Sequence, residues 1–304
     1  MEKVVLIDIS NLFFRSFHAV PKHFTMKDGA PSNAVYGVVS TVFSLLESEK
    51  PTYLFAARDL RGPTFRHEEM EGYKAGRPDM PEDLSTQLPF IFSFFTEGME
   101  LPVLSKEGFE ADDVIATVAE HFRNKAETEI VILSGDQDLF QIVGENVSLL
   151  YPQNGGKLPK KMDTEAVREK MGVYPHQVPD YKALAGDSSD RIVGVPGIGP
   201  VGAQKILAEY KTVENALEHA EEIGGKNGLL LQEHRESAVL SKKMTVLHRD
   251  LEILDFQEEA GRISITMPKS LPKFLENISS RRLITRAEKI FGQAEPPPEQ
   301  LGLF

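Results

Sequence analysis

The sequence predicts an α/β protein: a central, mostly parallel sheet flanked by helices, followed by a helical region that contains a helix-hairpin-helix. Three observations lead there. Short apolar runs of β type recur through the first half, Val4-Val5-Leu6-Ile7, Tyr53-Leu54-Phe55-Ala56-Ala57 and Ile130-Val131-Ile132-Leu133. Unbroken apolar runs of that length suit strands buried on both faces, as in a parallel sheet. Stretches of helical periodicity separate them, and beyond about residue 160 the pattern is helical and amphipathic to about 292.

In chain order, 3–9 reads as the first strand. Within 11–20, Phe13, Phe14 and Phe17 read as core packing. Ser32 is placed to cap a helix that runs to about Lys50, with Val35, Val38, Val39, Val42, Phe43, Leu45 and Leu46 as its buried stripe; Pro51 ends it. The second strand leads to Asp59. A basic, glycine-broken segment, Gly72-Tyr73-Lys74-Ala75-Gly76-Arg77-Pro78, precedes an amphipathic helix over 81–96 that opens on Pro81, Glu82 and Asp83. A helix follows Glu110, then the strand at 130–133, a strand at 147–151 and a turn at Asn154-Gly155-Gly156. Helices are expected at about 163–171 and 175–185. Five glycines and two prolines within 186–207 exclude a plain core helix there, and Gly197-Ile198-Gly199 between short helices makes a hairpin whose backbone amides can approach a phosphate. A glycine break falls at 224–228, and no internal repeat is present. A length of 304 residues suits about two domains, drawn at 1–175 and 176–292, with a proline-rich tail at 293–304.

Composition bounds the function. Hydrophobic residues make up 41%, as in an ordinary globular chain. The lack of cysteine excludes a disulfide framework, thiol catalysis and a zinc–cysteine site, and agrees with a reducing cytoplasm. No secretory signal and no apolar stretch long enough to span a membrane is evident. The net charge of −12 looks unsuited to a nucleic-acid partner, but setting aside nine acids that share one pattern leaves −3, which neither supports nor excludes one.

Those acids are the informative residues. Glu110, Asp112 and Asp113 fall within four residues at the start of a helix. One or two acids there suit the helix dipole, but three repel one another unless a cation sits among them. Carboxylate oxygens suit magnesium or manganese. Asp8, Asp59 and the pair Asp136 and Asp138 each follow an apolar run, and Asp187 and Asp190 lie in a Gly-Asp-Ser-Ser-Asp loop. In a parallel sheet, ligands bind outside the carboxyl ends of the strands, so these acids converge although they are distant in sequence. Taken alone, Asp136-x-Asp138 reads as a helix cap. Tyr73, Lys74 and Arg77 share one side of a helical turn and read equally as solvated surface or as contacts to a phosphate and an unstacked base. The tail places Gln300-Leu301-Gly302-Leu303-Phe304 beyond three prolines, as either an inert end or a docking peptide.

Six segments in this order resemble the bacterial and phage 5′ nuclease family, which includes the N-terminal domain of bacterial DNA polymerase I and has the flap endonucleases as relatives. They are Leu6-Ile7-Asp8; Asp59 with Thr64-Phe65-Arg66; Tyr73-Lys74-x-x-Arg77-Pro78; Glu110-Ala111-Asp112-Asp113; Gly135-Asp136-x-Asp138-Leu139; and Gly186-Asp187-x-x-Asp190 running into Gly194-Val195-x-Gly197-Ile198-Gly199. The resemblance covers about residues 3–290 and implies a PIN-like core with a helical arch over about 73–104. It also implies a two-metal, structure-specific 5′→3′ exonuclease and flap endonuclease of replication and repair.

Asp8, Asp59, Glu110 and Asp112 would hold one Mg²⁺; Asp136, Asp138, Asp187 and Asp190 a second; Asp113 and Asp112 would stand between them, with Mn²⁺ as a substitute. Lys74, Arg77 and Lys182 would contact the scissile phosphate and Tyr73 would stack on the terminal base. Arg66, Gly197, Ile198, Gly199, Gly202 and Lys205 would contact DNA, with K⁺ at the hairpin. Gln300, Leu301, Leu303 and Phe304 resemble a sliding-clamp-binding peptide.

Expected partners are branched or flapped DNA, an RNA–DNA hybrid and the clamp, for a monomeric, cytoplasmic protein with no polymerase domain following. Two departures stand out: Arg58 directly before Asp59, and Val201 where the family often has lysine. The competing readings are a single-strand ribonuclease on the same acidic core and a non-catalytic DNA-junction binder.

Overall fold

The structure, a computed structural model, describes residues 1–76, 80–153, 159–264 and 266–292. Arg77 and Pro78, the turn expected at 154–156 and the tail at 293–304 with Gln300, Leu301, Leu303 and Phe304 lie outside the described residues.

Six strands form one sheet: β1 (Glu2–Asp8), β2 (Tyr53–Ala57), β3 (Val103–Leu104), β4 (Thr128–Leu133), β5 (Val147–Tyr151) and β6 (Lys160–Met162). Their order is β3-β2-β1-β4-β5-β6, with β1 to β5 parallel and β6 antiparallel to β5. The chain leaves β1 in one direction for β2 and β3, then crosses to the other side for β4 and β5. The carboxyl ends of β1 and β4 therefore flank the point where the strand order reverses, which is where open α/β sheets bind ligands.

Both faces of the sheet are covered. Alternation along each strand sends Val4, Leu6, Tyr53, Phe55, Ile130 and Ile132 into one core, and Val5, Ile7, Leu54, Ala56, Val131 and Leu133 into the other. The helix Ala111–Arg123 and the second half of the chain cover the first face; the helices Ile9–Ala19 and Asn33–Glu49 cover the second. Phe13 and Phe17 are buried there as expected, whereas Phe14 is exposed. The expected fold class holds. The short edge strands β3 and β6 were not anticipated, because two and three residues are too few to show a period.

Two expectations are corrected. The segment 82–98 does not stand free as part of an arch: Leu84, Ile91, Phe94 and Phe95 are fully buried against the Asn33 helix. Helical character to residue 292 does not make one helical domain. The helices Leu271–Asn277 and Arg281–Phe291 return to the first half, burying Leu271, Leu275, Leu283 and Phe291 in the same core, while Arg286 pairs with Glu47 at 2.6 Å. Among the described residues, no helix is long and apolar enough to cross a membrane.

The Asn33 helix is not capped by Ser32, whose hydroxyl is buried and makes no hydrogen bond. Gln87, from the segment packed above it, does this instead. Its Oε1 accepts from Ala34 N at 2.9 Å and Val35 N at 3.4 Å, and its Nε2 donates to Asn33 Oδ1 at 3.0 Å. Replacing Gln87 with Ala leaves these buried groups unpaired. Urea denaturation is expected to register a loss of about 1–3 kcal/mol; a loss within error would exclude this capping role.

Candidate active site

Strand ends and helix starts present all but two of the acids. Asp8 is the last residue of β1 and caps the helix that follows, accepting from Asn11 N at 3.0 Å. Asp59, just beyond β2, accepts from Ala111 N at 2.9 Å and so meets the start of the Ala111 helix. Glu110 and Asp113 close that helix start with a capping box. Asp136 follows β4 and accepts from Asp138 N at 2.9 Å, and Asp138 opens a short 3-10 turn. Asp187 and Asp190 lie in the loop after the helix Val178–Ala185, where Asp187 and Ile192 exchange backbone hydrogen bonds of 2.8 Å.

These scattered residues feel one another. Burial, and the charges of Asp59 and Asp136, push the Asp8 carboxyl up to about 7 against the hydrogen bonds it accepts from Asn11 N and Ser134 Oγ. Burial and the charges of Asp136, Asp8 and Asp138 hold Asp112 well above the usual carboxylate range. Burial raises Asp138 to about 6 although Lys182 opposes it. Burial alone would raise Asp187 as well, but the Lys182 ammonium and the hydrogen bonds from Ser189 hold it at about 2.

Two lysines stand among the acids. Lys182, on the Val178 helix and 5% exposed, pairs with Asp138 and, at 2.6 Å, with Asp187. Lys74 pairs with Glu110 at 2.6 Å and Asp190 at 3.6 Å. Burial should lower both ammonium groups, yet the facing carboxylates hold them above their usual range. Lys74 takes a left-handed backbone, φ 51°, which is uncommon outside glycine, and its N–H donates to Asp190 O at 3.2 Å. Among the described residues, no three acids or histidines stand close enough to hold one metal ion as placed. The donor set fits a hard divalent cation in chemistry, being all carboxylate oxygen and short of positive charge.

Several expected roles change. Asp113 is 0% exposed and its acceptor capacity is filled. Oδ2 accepts from Arg66 Nη1 at 2.6 Å and Glu110 N at 3.1 Å; Oδ1 accepts from Arg66 Nη2 at 2.9 Å and His248 N at 3.0 Å. Asp113 thus leaves the metal-ligand set. Arg66, 2% exposed, is the buried partner of Asp113 and does not face a nucleic acid. Tyr73 does not present its ring for stacking. It is 4% exposed, packed against Ile192 and Met244, and its hydroxyl donates to Asp190 Oδ2 at 3.0 Å and Glu110 Oε2 at 3.2 Å. Arg58 lies 4.6 Å over the Phe92 ring.

In the hairpin, Gly197 and Gly199 are exposed, Ile198 is buried as the anchor, Gly202 is half-buried and Lys205 is exposed. The loop between the helices Val178–Ala185 and Pro200–Tyr210 is longer than a simple hairpin, because its ends fold together. Gly194 has φ 68°, and a Cβ there would meet Gly186 N at 2.4 Å and Leu184 O at 2.8 Å.

Sequence reasoning missed Ser134 and Asn11. Ser134 Oγ donates to Asp8 Oδ2 at 2.8 Å and accepts from Asp136 N at 3.0 Å, while Asn11 Oδ1 accepts from Gly135 N at 2.9 Å. The available signal was a small polar residue placed between an apolar run and an acid.

The Arg66–Asp113 pair supports a prediction. Removing one partner of a buried pair strands the other's charge, at a cost of about 3–5 kcal/mol. Arg66→Met is expected to destabilise by that amount, and adding Asp113→Leu to recover part of the loss. A double variant no more stable than the single one would overturn the charge-pair account; chemical denaturation measures both.

Comparison with known proteins gives a consistent result. The 5′-3′ exonuclease N-terminal resolvase-like domain matches residues 3–172, and the 5′-3′ exonuclease C-terminal SAM fold matches 173–268. The second match ends before the helices that return to the first half. A 5′-3′ exonuclease of Aquifex aeolicus is 37% identical, covering 97% of this chain and 98% of its own length. DNA polymerase I of Bacillus caldotenax is 38% identical over 92% of this chain and 32% of its own, so the chain spans about a third of that relative. A solved structure of a phage T5 flap endonuclease with DNA and metal ions superposes with a TM-score of 0.64 at 20% identity, covering 95% of this chain and 98% of that one, a likeness of fold. With acids gathered at the carboxyl edge of the sheet and both halves of the chain matched, this protein belongs to the 5′-3′ exonuclease family.

Proposed function

We propose that this nuclease is a Mg²⁺-dependent, structure-specific 5′→3′ exonuclease and flap endonuclease that hydrolyses DNA phosphodiesters near junctions of single and double strands. The reading rests on one observation: acids from distant stretches of the chain meet at one edge of the sheet, where Asp8 feels the charges of Asp59 and Asp136, Asp112 those of Asp8, Asp136 and Asp138, and Asp138 those of Asp136 and Asp187.

Asp8, Asp59 and Asp112 would hold one Mg²⁺, and Asp136, Asp138 and Asp187 a second, with Glu110 and Asp190 joining as Lys74 and Tyr73 release them. Two such ions, when bound, neutralise the phosphate, acidify a water and stabilise the leaving oxygen. The chain's own residues do the rest. Asp8 is held in orientation by Asn11 N and Ser134 Oγ, and Asp136 by Ser134 and Asp138 N. Lys74 and Lys182 each lie within reach of two carboxylates and can exchange one of these partners for a phosphate oxygen, placing positive charge where negative charge develops. The exposed Gly197–Ile198–Gly199 turn presents backbone to a duplex, and Lys205 on the following helix adds a cation to that surface. K⁺ at this turn belongs to the same proposal.

A 5′ flap incubated with and without Mg²⁺, with products mapped at nucleotide resolution, tests this. Cleavage should require the metal, fall near the junction and leave 5′-phosphate and 3′-hydroxyl ends, and Asp136→Ala should lower the rate by roughly 100-fold or more. Absence of cleavage by the wild type, undiminished cleavage by the variant, or preference for free single-stranded RNA would each overturn it.

A further inference from the structure

The segment 244–248, at the end of the helix Arg235–Thr245, joins the two halves in an unusual way. It is not paired with a strand; side chains of the α/β half satisfy its backbone in succession. Arg66 Nε donates to Met244 O at 2.8 Å, Gln141 Nε2 to Thr245 O at 2.9 Å, and Arg66 Nη2 to Val246 O at 3.3 Å. Leu247 N donates to Gln141 Oε1 at 3.0 Å, and His248 N to Asp113 Oδ1 at 3.0 Å. The same side chains hold the acid cluster. Arg66 Nη1 donates to Glu110 Oε2 at 3.3 Å, and Gln141 Nε2 donates to Asp138 O at 3.0 Å.

The same helix grips the glycine loop. Ser237 Oγ donates to Gly194 O at 2.6 Å, and Gly194 N donates to Ser241 Oγ at 3.1 Å. Thr245 Oγ1 also reaches Pro179 O at 3.3 Å, at the start of the helix that carries Lys182. A continuous chain of buried and half-buried contacts thus runs from Gly194 of the hairpin loop, through Ser237 and Ser241 to Thr245 of the same helix, and on to Asp138 and Glu110. From Ser237 to Thr245 the helix spans about 12 Å, a fixed length set by its rise of about 1.5 Å per residue.

We propose that Gln141 and Arg66 are positioning residues that fix the distance between the duplex-facing hairpin and the acid cluster, and so set which phosphodiester is cut. The proposal rests on the reading above, that the hairpin holds duplex and the acids hold the scissile phosphate. Successive phosphates of one strand advance roughly 3.4 Å along the duplex axis, so a looseness of a few ångströms along that axis is enough to admit the neighbouring bond. A side chain that merely stabilises the fold would change the amount of active enzyme; a side chain that sets this distance changes where the product ends.

Product mapping on a 5′ flap of fixed sequence with Mg²⁺ distinguishes the two. Wild type should give one dominant product. Gln141→Ala, and separately the double variant Ser237→Ala with Ser241→Ala at the contacts with Gly194, should shift a substantial share of cuts one nucleotide to either side. Gln87→Ala serves as the control: it breaks a buried network of similar size on the opposite face of the sheet and should keep the wild-type distribution. If Gln141→Ala fails to fold, the serine variant carries the test alone. An unchanged distribution in the loosened variants, or the same spread in Gln87→Ala, would overturn the proposal while leaving the nuclease reading intact. No cleavage by the wild type would instead remove the reading beneath it.

Discussion

Carboxylates gathered at one end of a sheet repel one another, and the arrangement around them answers that repulsion. Asp8, Asp112 and Asp138 are driven toward their protonated forms by burial and by neighbouring carboxylates. The sheet nevertheless holds them together, because the register of β1 with β2 and β4 leaves the strand ends no choice of position. Backbone amides at helix starts and the Ser134 hydroxyl accommodate part of the charge. The two lysines accommodate more, each bridging a pair of acids from different elements.

The protein places cations of its own among the acids. An ammonium can hold two carboxylates at hydrogen-bond distance, whereas a divalent ion needs more oxygens converging on one point. Lys74 is the clearest case: it sits on strained backbone in a segment that also buries Tyr73, and both residues turn toward Glu110 and Asp190. Lys74 and Tyr73 thus share one hydrogen-bonded network with the acids.

The buried Arg66 and Asp113 serve a different purpose from the acids beside them. Their pair is saturated with hydrogen bonds and excluded from water, the one setting in which a buried ion pair is well tolerated. Together with Gln141 they tie the second half of the chain to the Ala111 helix and to the turn that bears Asp138. The close approach of Gly186 and Gly194 does the same for the hairpin loop, since any larger residue at Gly194 would meet backbone on two sides.

The amino-acid sequence alone determined the parallel α/β class, the strand ends that bear Asp8, Asp59 and Asp136, and the family to which the six segments belong, because these depend on local apolar runs and on residues adjacent in the chain. It did not distinguish Asp113 from Asp112, its neighbour, since which of two adjacent acids faces the cleft depends on the rotation of a helix against Arg66, 47 residues away. It offered Ser32 as a cap where Gln87 acts, and read 271–292 as part of the helical region although these helices complete the core of the first half. Tyr73 and Arg66 looked like surface contacts because aromatic and basic residues in a glycine-broken segment carry no local sign of burial. Tertiary structure decided these points because each turns on partners brought together across long stretches of chain, and a side chain's role follows from the charges and hydrogen bonds that surround it.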